Sequence, residues 1–430
     1  MNQSAEILNW HEKHAWQPFT QMKLSAPPVI IDRAEGLYLV ANDGRKIMDA
    51  VGSWWVSIHG HNHPAIVSAV QKQLNSLDQV MYAGFTHEPA ARLSHRLSEK
   101  THGHLPRAFY SDNGACAVEI GLKMAFQYFV NCGRPEKSRF ITLENGYHGD
   151  TIGTMSAGAR SVFHKMYEPL LFPVFTAKGP DQEGAIDSLR QILESNSHEI
   201  CGLILEPIIQ GAGGMIMYSP SYLKQARTLC DQHDVFLIAD EVFTGFGRTG
   251  SFFACEQAQI WPDIMALSKG LSAGVVPFAA TLASEKVYQG FYSDDRSHTL
   301  FHGHSMTANP AGCAAANTSL DLLDDTCMTQ IKCMQSWNLE NLRTLCAGRA
   351  GSLIRTTRQM GSVAAMEIAL NSGYTGSFSP TFRERCVEKG LLVRPLGNIV
   401  YLCLPYITER GELDRIYEIL EETIVELAPN

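Results

Sequence analysis

The sequence has no excess of positive charge and no long apolar run, and each absence excludes a class of protein. Lysine and arginine number 35 against 44 aspartates and glutamates, which gives a formal net charge of −9. Without a broad basic field, neither nucleic acid nor an anionic membrane surface is an expected partner. The sequence has no uncharged run of about 18 apolar residues, and its first residues include no basic segment followed by an apolar one. We therefore expect a cytoplasmic protein.

The cysteines also lack a pattern. Eleven are scattered singly, their number is odd, and none forms a Cys-x-x-Cys pair. Reduced thiols in a cytosol fit this distribution better than a disulfide framework does. Internal repeats and low-complexity tracts are absent as well. The 430 residues, of which 45% are hydrophobic, are enough for one large and one smaller domain.

Short β-rich runs alternate with helical stretches through the middle of the chain. The predicted strands are 108–111, 139–143, 201–205, 235–239, 264–267 and 278–282. This alternation predicts an α/β fold in which a mainly parallel sheet lies between helices. In such sheets, ligands bind beyond the carboxyl ends of the strands.

The two ends of the chain have a different pattern. A hairpin is predicted within residues 36–48, with its turn at Asn42-Asp43-Gly44. A long alanine-rich helix is predicted for residues 311–323, and an α+β portion follows it. We therefore assign residues 1–60 and 311–430 to a small domain, and residues 61–310 to a large ligand-binding domain.

Two residues at predicted strand ends carry the strongest chemical signal. Lys269 follows the strand 264–267, where desolvation lowers the pKa of an amine and frees it to form a Schiff base. Asp240 follows the strand 235–239 and can keep a pyridine nitrogen protonated, which makes pyridoxal phosphate an electron sink. Together they indicate that cofactor. Taken singly, they also fit a surface lysine and a helix-capping aspartate.

Three further motifs fit a phosphorylated, flat cofactor. Gly114 and Ala115 open a helix after a strand, so their free N–H groups suit a phosphate, although an ordinary Asp/Asn cap explains them too. Tyr147 lies in a glycine-flanked turn, where its ring can stack on a heterocycle or simply pack. Ser305 and Thr307 offer hydroxyls for a phosphate, or belong to a plain loop before a helix.

Three other motifs indicate different enzyme classes and fit poorly. Residues 245–250 match the dinucleotide pattern GxGxxG, but they contain an arginine and no helix start follows. Residues 270–274 match the hydrolase pattern GxSxG, but they abut the candidate lysine and no Asp-then-His pair stands out downstream. His59, His61 and His63 have the spacing of metal ligands without a thiol or carboxylate nearby, so a loop fits better.

In combination, the motifs resemble those of the class III pyridoxal-phosphate aminotransferases of fold type I. The resemblance covers nearly the whole chain and is carried by residues 145–149, 206–207, 211–214, 240–250 and 268–270. Residues 16–20, 52–60 and 394–406 narrow it to the branch that aminates 8-amino-7-oxononanoate in biotin biosynthesis. This resemblance implies S-adenosylmethionine as the amino donor and a homodimer with its active site at the interface.

The resemblance also implies roles for individual residues. Lys269 would bind the cofactor and move a proton, Asp240 would pair with the pyridine nitrogen, and Tyr147 would stack on the ring. Further cofactor contacts are implied for Gly114, Ala115, His148, Glu206 and, from a second subunit, Ser305. Substrate contacts are implied for Phe19, Trp54, Trp55, Gly303, Arg394 and Tyr401. Arg394 would bind the carboxylate of the keto acid, since a guanidinium can pair with it in two parallel bonds.

Departures from the family pattern leave alternatives open. Phe19 stands where relatives commonly have tyrosine, which leaves lysine or another amine possible as the donor. Ala115 replaces a frequent serine, and His304-Ser305 replaces a more usual Pro-Thr. A different class III ω-aminotransferase, acting on a diamine or ω-amino acid, is the first alternative. A cofactor-binding pseudoenzyme is the second, but it predicts the loss of Lys269 or Asp240, and both are present.

Overall fold

A seven-stranded sheet forms the centre of the fold. The computed structural model describes residues 3–162, 164–370 and 373–427. In spatial order, the strands are Arg107–Ser111, Ala279–Ala283, Ile264–Leu267, Phe236–Asp240, Ile200–Leu205, Arg139–Leu143 and Phe175–Ala177. All run parallel except Ala279–Ala283, which is antiparallel to both of its neighbours. The predicted α/β fold with a mainly parallel sheet is confirmed.

The sheet is buried on both faces. Every residue of the strand Phe236–Asp240 is buried, as is every residue of Ile200–Leu205. Because side chains alternate along a strand, Phe236 belongs to the apolar cluster of the helix Gly114–Asn131, whereas Leu237 belongs to the cluster of the helices on the other face. Near-continuous apolar runs are therefore what this sheet requires.

Helices supply the two outer layers and much of the rest of the chain. The α-helices are Gln3–His14, Pro64–Leu74, Glu88–Lys100, Gly114–Asn131, Ile152–Ala157, Ala185–Asn196, Pro220–Gln232, Glu285–Gln289, Pro310–Leu322, Asp325–Ala347, Phe378–Glu388 and Arg410–Glu426. Short 3-10 helices span Lys165–Leu170, Ala254–Ala258, Lys269–Ser272, Arg296–His298 and Gly351–Leu353. Within the described ranges, no helix combines the length and apolarity that a membrane crossing requires.

Three smaller sheets accompany the central one. Their strands are Ile31–Glu35, Tyr38–Ala41, Lys46–Asp49 and Leu391–Leu392 in the first, Ile354–Met360, Val363–Ile368 and Ile399–Cys403 in the second, and Ile209–Gln210 with Ile216–Met217 in the third. Tyr38–Ala41 and Lys46–Asp49 form the predicted hairpin, and Gly44 in its turn has φ +89°, which suits glycine. The hairpin is thus confirmed.

A second apolar core contains residues from both ends of the chain. It includes Leu37 and Met48 from the hairpin region together with residues from Met334 to Ile424. This shared core supports one small domain built from both chain ends. The helix Pro310–Leu322 instead contributes Cys313 and its neighbours to the main core. The boundaries at residues 60 and 311 remain predictions.

Candidate active site

A cleft of about 660 Å³ opens at the carboxyl ends of the central strands. Asp240 ends one strand, Lys269 follows the next, and Gly114 begins the helix after an edge strand, so the topology brings the three to one place. Of the predicted cofactor contacts, the cleft is lined by Gly114, Ala115, Tyr147, His148, Glu206, Asp240 and Lys269. Its volume suits a cofactor of ordinary size.

The carboxylate of Asp240 is held in a fixed orientation. His148 Nδ1 donates to Asp240 Oδ2 across 2.7 Å, and Val242 N donates to Oδ1 across 3.1 Å. The His148 side chain is inaccessible to solvent, and its Nε2 atom finds no hydrogen-bond partner among the described residues. Asp240 is therefore a positioned, nearly buried carboxylate on the cleft wall, suited to hold a cationic ring nitrogen.

Lys269 is an amine in a desolvated position. Its Nζ atom lies 5.1 Å from the ring centroid of Trp55. Desolvation lowers the pKa of Lys269, while the negative charges of Asp240 and Glu206 oppose that shift. A lowered pKa increases the fraction of neutral amine, which is the form that acts as nucleophile or base.

Tyr147 is fixed at both its backbone and its hydroxyl. The Glu206 carboxylate accepts from Tyr147 N across 3.1 Å and from Gly211 N across 2.8 Å. Burial raises the pKa of Glu206 to about 7. The Tyr147 hydroxyl donates to Asp150 Oδ2 across 2.8 Å, and burial followed by the Asp150 charge raises the pKa of this tyrosine. The ring is therefore held in place on the wall of the cleft.

The start of the helix Gly114–Asn131 faces the cleft. The Asn113 side chain accepts from Cys116 N across 2.9 Å, which confirms an asparagine cap. The N–H groups of Gly114 and Ala115 belong to the first turn and have no intrahelical acceptor. A Cβ atom at position 114 would lie 2.6 Å from Val242 Cγ1. Glycine at position 114 thus allows the start of the helix to pack closely against Val242. The N–H groups of Gly114 and Ala115 remain available to bind an anion.

A second cavity of about 250 Å³ adjoins the first. The two share Trp55, Tyr147, Asp150 and Lys269 as walls. The second is further lined by Phe19, Trp54, Ala212, Tyr374, Arg394, Leu396 and Tyr401. Five predicted substrate contacts therefore line one cavity next to Lys269, namely Phe19, Trp54, Trp55, Arg394 and Tyr401.

Arg394 lies on an aromatic surface in this cavity. Its guanidinium carbon lies 4.4 Å from the Trp54 ring centroid. Within the described part of the chain, no carboxylate forms an ion pair with Arg394. Trp55 Nε1 donates to the Tyr401 hydroxyl across 3.0 Å, which fixes the neighbouring wall. A cation among aromatic rings is suited to a ligand with an apolar body and one anionic end.

Two predicted site residues lie outside both cavities of this chain. Neither Gly303 nor Ser305 is among their lining residues. Ser305 is exposed, and its carbonyl accepts from Gln79 Nε2 across 2.7 Å. Thr307 donates its hydroxyl to His304 O across 2.8 Å. The contact of Ser305 with the cofactor of a second subunit and the contact of Gly303 with substrate therefore stay predictions.

The structure adds wall residues that sequence reasoning missed. Asp150 and Thr151 line the first cleft directly after the predicted Tyr147 turn, so the motif itself could have indicated them. Tyr374 comes from a distant segment with no motif. The candidate metal histidines have other partners, since His59 Nε2 lies 3.1 Å from Ser319 O and His61 bonds Asp49. Among the described residues, no cluster of histidine, cysteine or acidic side chains is arranged to hold a metal ion.

Comparison with known sequences identifies relatives along nearly the full chain. A family model described as aminotransferase class-III matches residues 20–424. A Geobacter sulfurreducens protein named adenosylmethionine-8-amino-7-oxononanoate aminotransferase is 40% identical, and the match covers 97% of each chain. A protein of the same name from Synechococcus elongatus is 41% identical, covering 96% of this chain and 99% of the relative.

Solved structures show the same relationship. The adenosylmethionine-8-amino-7-oxononanoate aminotransferase from Methanocaldococcus jannaschii has a TM-score of 0.92 and 33% identity, with 98% of this chain and 99% of that chain covered. A PLP-bound amine transaminase from an uncultivated Pseudomonas species has a TM-score of 0.90 and 30% identity, with 96% and 98% covered.

Proposed function

The chain belongs to the class III aminotransferases, and from this premise we propose that it converts 8-amino-7-oxononanoate to 7,8-diaminononanoate in biotin biosynthesis. The activity is that of 7,8-diaminopelargonate synthase. The observation that carries this choice is the second cavity, where aromatic side chains lead from Lys269 to the guanidinium of Arg394, which forms no ion pair with any described carboxylate. A long apolar chain with one terminal carboxylate matches that lining.

The residues of the first cleft fit pyridoxal phosphate. Asp240 would hold the ring nitrogen, Tyr147 would pack on the ring, and the N-terminus of the helix Gly114–Asn131 would bind the phosphate. Lys269 would supply the amine that attaches the cofactor. When bound, pyridoxal phosphate supplies an electron sink for negative charge that develops at the substrate carbon.

The protein's own contribution is proton transfer, orientation and exclusion of water. Lys269 Nζ would accept the proton that leaves the substrate carbon, a task that its lowered pKa favours. His148 keeps Asp240 in position, and Glu206 does the same for the backbone of Tyr147. Trp55 is buried and borders both cavities, where its indole would exclude water from the reacting carbon.

S-adenosylmethionine is the proposed amino donor. The names of the relatives support it, since the Geobacter and Synechococcus proteins are both named for adenosylmethionine. Phe19 packs edge-on against Trp54, with 5.6 Å between ring centroids, so this chain presents a ring without a hydroxyl in the lining of the cavity. The donor therefore has to be tested together with the acceptor.

A homodimer completes the proposed site. Ser305 lies outside the cavities of its own chain, in a loop whose neighbours Phe301 and Met306 are 72% and 49% exposed. Apolar side chains so exposed are suited to burial against a second copy, where Ser305 would bind the phosphate of the partner's cofactor. The unpaired cysteines of the chain support a cytoplasmic location for this enzyme.

The test is product formation by the holoenzyme. The enzyme is incubated with 8-amino-7-oxononanoate and either S-adenosylmethionine, lysine or no donor, and 7,8-diaminononanoate is quantified by mass spectrometry. We expect product with S-adenosylmethionine and none without a donor. No product with either donor, together with rapid exchange between small ω-amino acids and keto acids, would overturn the proposal in favour of a general ω-aminotransferase.

A further inference from the structure

The two tryptophans of the substrate cavity lie in a left-handed turn of the backbone. Residues Gly52, Ser53, Trp54 and Trp55 have φ angles of +54°, +43°, +68° and +74°. Trp55 N donates to Val51 O across 2.8 Å, and Val56 N donates to Gly52 O across 2.9 Å. We name Gly52–Trp55 the tryptophan turn. Three successive side-chain-bearing residues in this region are sterically disfavoured and persist only when their surroundings hold them.

Two buried side chains hold the tryptophan turn: Arg248 Nη2 donates to Trp55 O across 3.1 Å, and Asp49 holds its first half. Asp49 ends the strand Lys46–Asp49 and is inaccessible to solvent. Its Oδ1 atom accepts from Val51 N across 3.2 Å, and its Oδ2 atom accepts from the Ser53 hydroxyl across 2.7 Å. His61 Nε2, from the loop that follows, lies 2.8 Å from the same Oδ2 atom. The carboxylate thus binds the residue before the turn, a residue within it and a loop beyond it.

The tryptophan turn determines where Trp54 and Trp55 lie in the wall of the substrate cavity. The Trp54 ring lies against the guanidinium of Arg394, and Trp55 borders Lys269 and donates to Tyr401. A change in the backbone angles of the turn would move both indoles together. Asp49 itself does not line either cavity, so it acts only through the residues that it holds.

We propose that Asp49, braced by Ser53 and His61, is a positioning residue that determines selectivity for the long alkyl chain of the keto acid. The proposal rests on the proposed function, because it assumes that the chain of 8-amino-7-oxononanoate lies against Trp54 and Trp55. Loss of the Asp49 contacts would relax the tryptophan turn and weaken recognition of a long chain more than that of a short one.

Binding of two unreactive carboxylates to the holoenzyme tests this inference. Nonanoate has the length of the substrate chain and butanoate does not, and their affinities are measured by titration calorimetry. We expect the wild type to bind nonanoate at least about tenfold more tightly than butanoate, because extra methylenes are buried. Asp49→Asn should lose about tenfold in nonanoate affinity and little in butanoate affinity. In turnover, its KM for the keto acid should rise much more than its kcat falls.

Asp263→Asn is the matched control. Asp263 also accepts from a backbone N–H, that of Leu237 across 2.8 Å, and pairs with Arg227 across 2.6 Å. It lies at the amino end of the strand Ile264–Leu267, whereas the cleft lies at the carboxyl ends of the strands. Its loss should affect stability while leaving the preference for nonanoate unchanged. If Asp49→Asn does not fold, Ser53→Ala removes a single bond to Asp49 and should reduce the preference in the same direction.

Different results contradict the proposed function and the positioning role of Asp49. A wild type without any preference for nonanoate would contradict the proposed function, and the inference would fall with it. A wild type that prefers nonanoate, with the preference retained in Asp49→Asn or in Ser53→Ala, would leave the function intact and overturn the positioning role.

Discussion

Asp240 and Glu241 are adjacent in the chain but differ in their surroundings. Asp240 lines the cleft and is held by His148. Glu241 does not line the cleft and accepts from Ala254 N across 2.9 Å, from Cys255 N across 2.8 Å and from the Thr244 hydroxyl. Side chains of successive residues at a strand end point to opposite faces, which separates them. One carboxylate is thus available for chemistry, while the other stabilises the fold.

Asp240→Asn is expected to lower kcat by about a hundredfold or more, because a fixed charge opposite a cationic ring nitrogen is lost at the reacting centre. The amide keeps the size of the carboxylate, so the melting temperature should change little. Steady-state kinetics with saturating cofactor and a thermal melt provide the two readouts. Glu241→Gln is the control and should change stability more than kcat. A mild effect of Asp240→Asn on kcat would mean that another residue holds the ring nitrogen.

Arg394→Ala is expected to raise the KM for the keto acid by about tenfold or more, with a much smaller effect on the amino donor, because a charged hydrogen-bonding partner of the carboxylate is lost. Arg383→Ala offers a matched control, since Arg383 is a half-buried arginine of the helix Phe378–Glu388 that lines neither cavity. Initial rates with each substrate varied in turn give both constants. Equal increases for both substrates in Arg394→Ala would argue against a carboxylate-binding role.

Charged residues that directly follow a short apolar run could be predicted from sequence as site residues. Lys269 and Asp240 are of this kind, because parallel strands bring their carboxyl ends together. Asp49 could not, because its role depends on the left-handed angles of Ser53 and Trp54, which no local preference favours. Tyr374 reaches the cavity from a segment remote in sequence, and only tertiary packing places it there.

At the scale of elements, the buried glutamate provides a pH-dependent test. Glu241 stabilises the start of the 3-10 helix Ala254–Ala258, and burial raises its pKa from 4.5 to about 7. Between these two values the folded protein binds more protons than the unfolded chain does. The contribution of Glu241 to the free energy of unfolding therefore falls as the pH rises through this window and stays low above it.

Glu241→Gln should remove this dependence. The free energy of unfolding of the wild type relative to the variant should fall by roughly 3 kcal/mol between about pH 5 and about pH 8, at about 1.4 kcal/mol per pKa unit. Denaturant titrations of both proteins at each pH measure the difference, and Glu206, which titrates in the same range, is present in both. A difference that is independent of pH would show that Glu241 is ionised throughout.

Among the elements, long or fully apolar ones could be predicted and short ones could not. The strands Ile200–Leu205 and Phe236–Asp240 are continuous apolar runs between turn residues, and both match their predictions closely. The edge strand Phe175–Ala177 has three residues, too few for a periodic signal. The pair Ile209–Gln210 and Ile216–Met217 is shorter still, and the loop between its strands determines it.

For the whole molecule, the proposed dimer predicts complementation between two impaired variants. Lys269→Ala lacks the amine and should be inactive as a homodimer. Ser305→Asp places a negative charge beside the phosphate of the partner's cofactor and should bind pyridoxal phosphate poorly. In a mixed dimer, one site then combines an intact Lys269 with an intact Ser305 of the partner subunit.

Mixing the two variants under subunit exchange should therefore restore activity, up to about one intact site per mixed dimer. Lys269→Ala mixed with wild type serves as the control for exchange and can only dilute activity. If Ser305 acted within its own chain, no mixed dimer would contain an intact site, and the mixture would stay inactive. That result would contradict a site completed across the interface.

The central claim is the identity of the keto acid, and a half-reaction spectrum tests it most directly. The holoenzyme is mixed with 7,8-diaminononanoate alone, and its visible absorption is followed. We predict loss of the visible band as the cofactor is converted to its aminated form, with 8-amino-7-oxononanoate released. Conversion by small ω-amino acids but not by 7,8-diaminononanoate would contradict the account and indicate a general ω-aminotransferase.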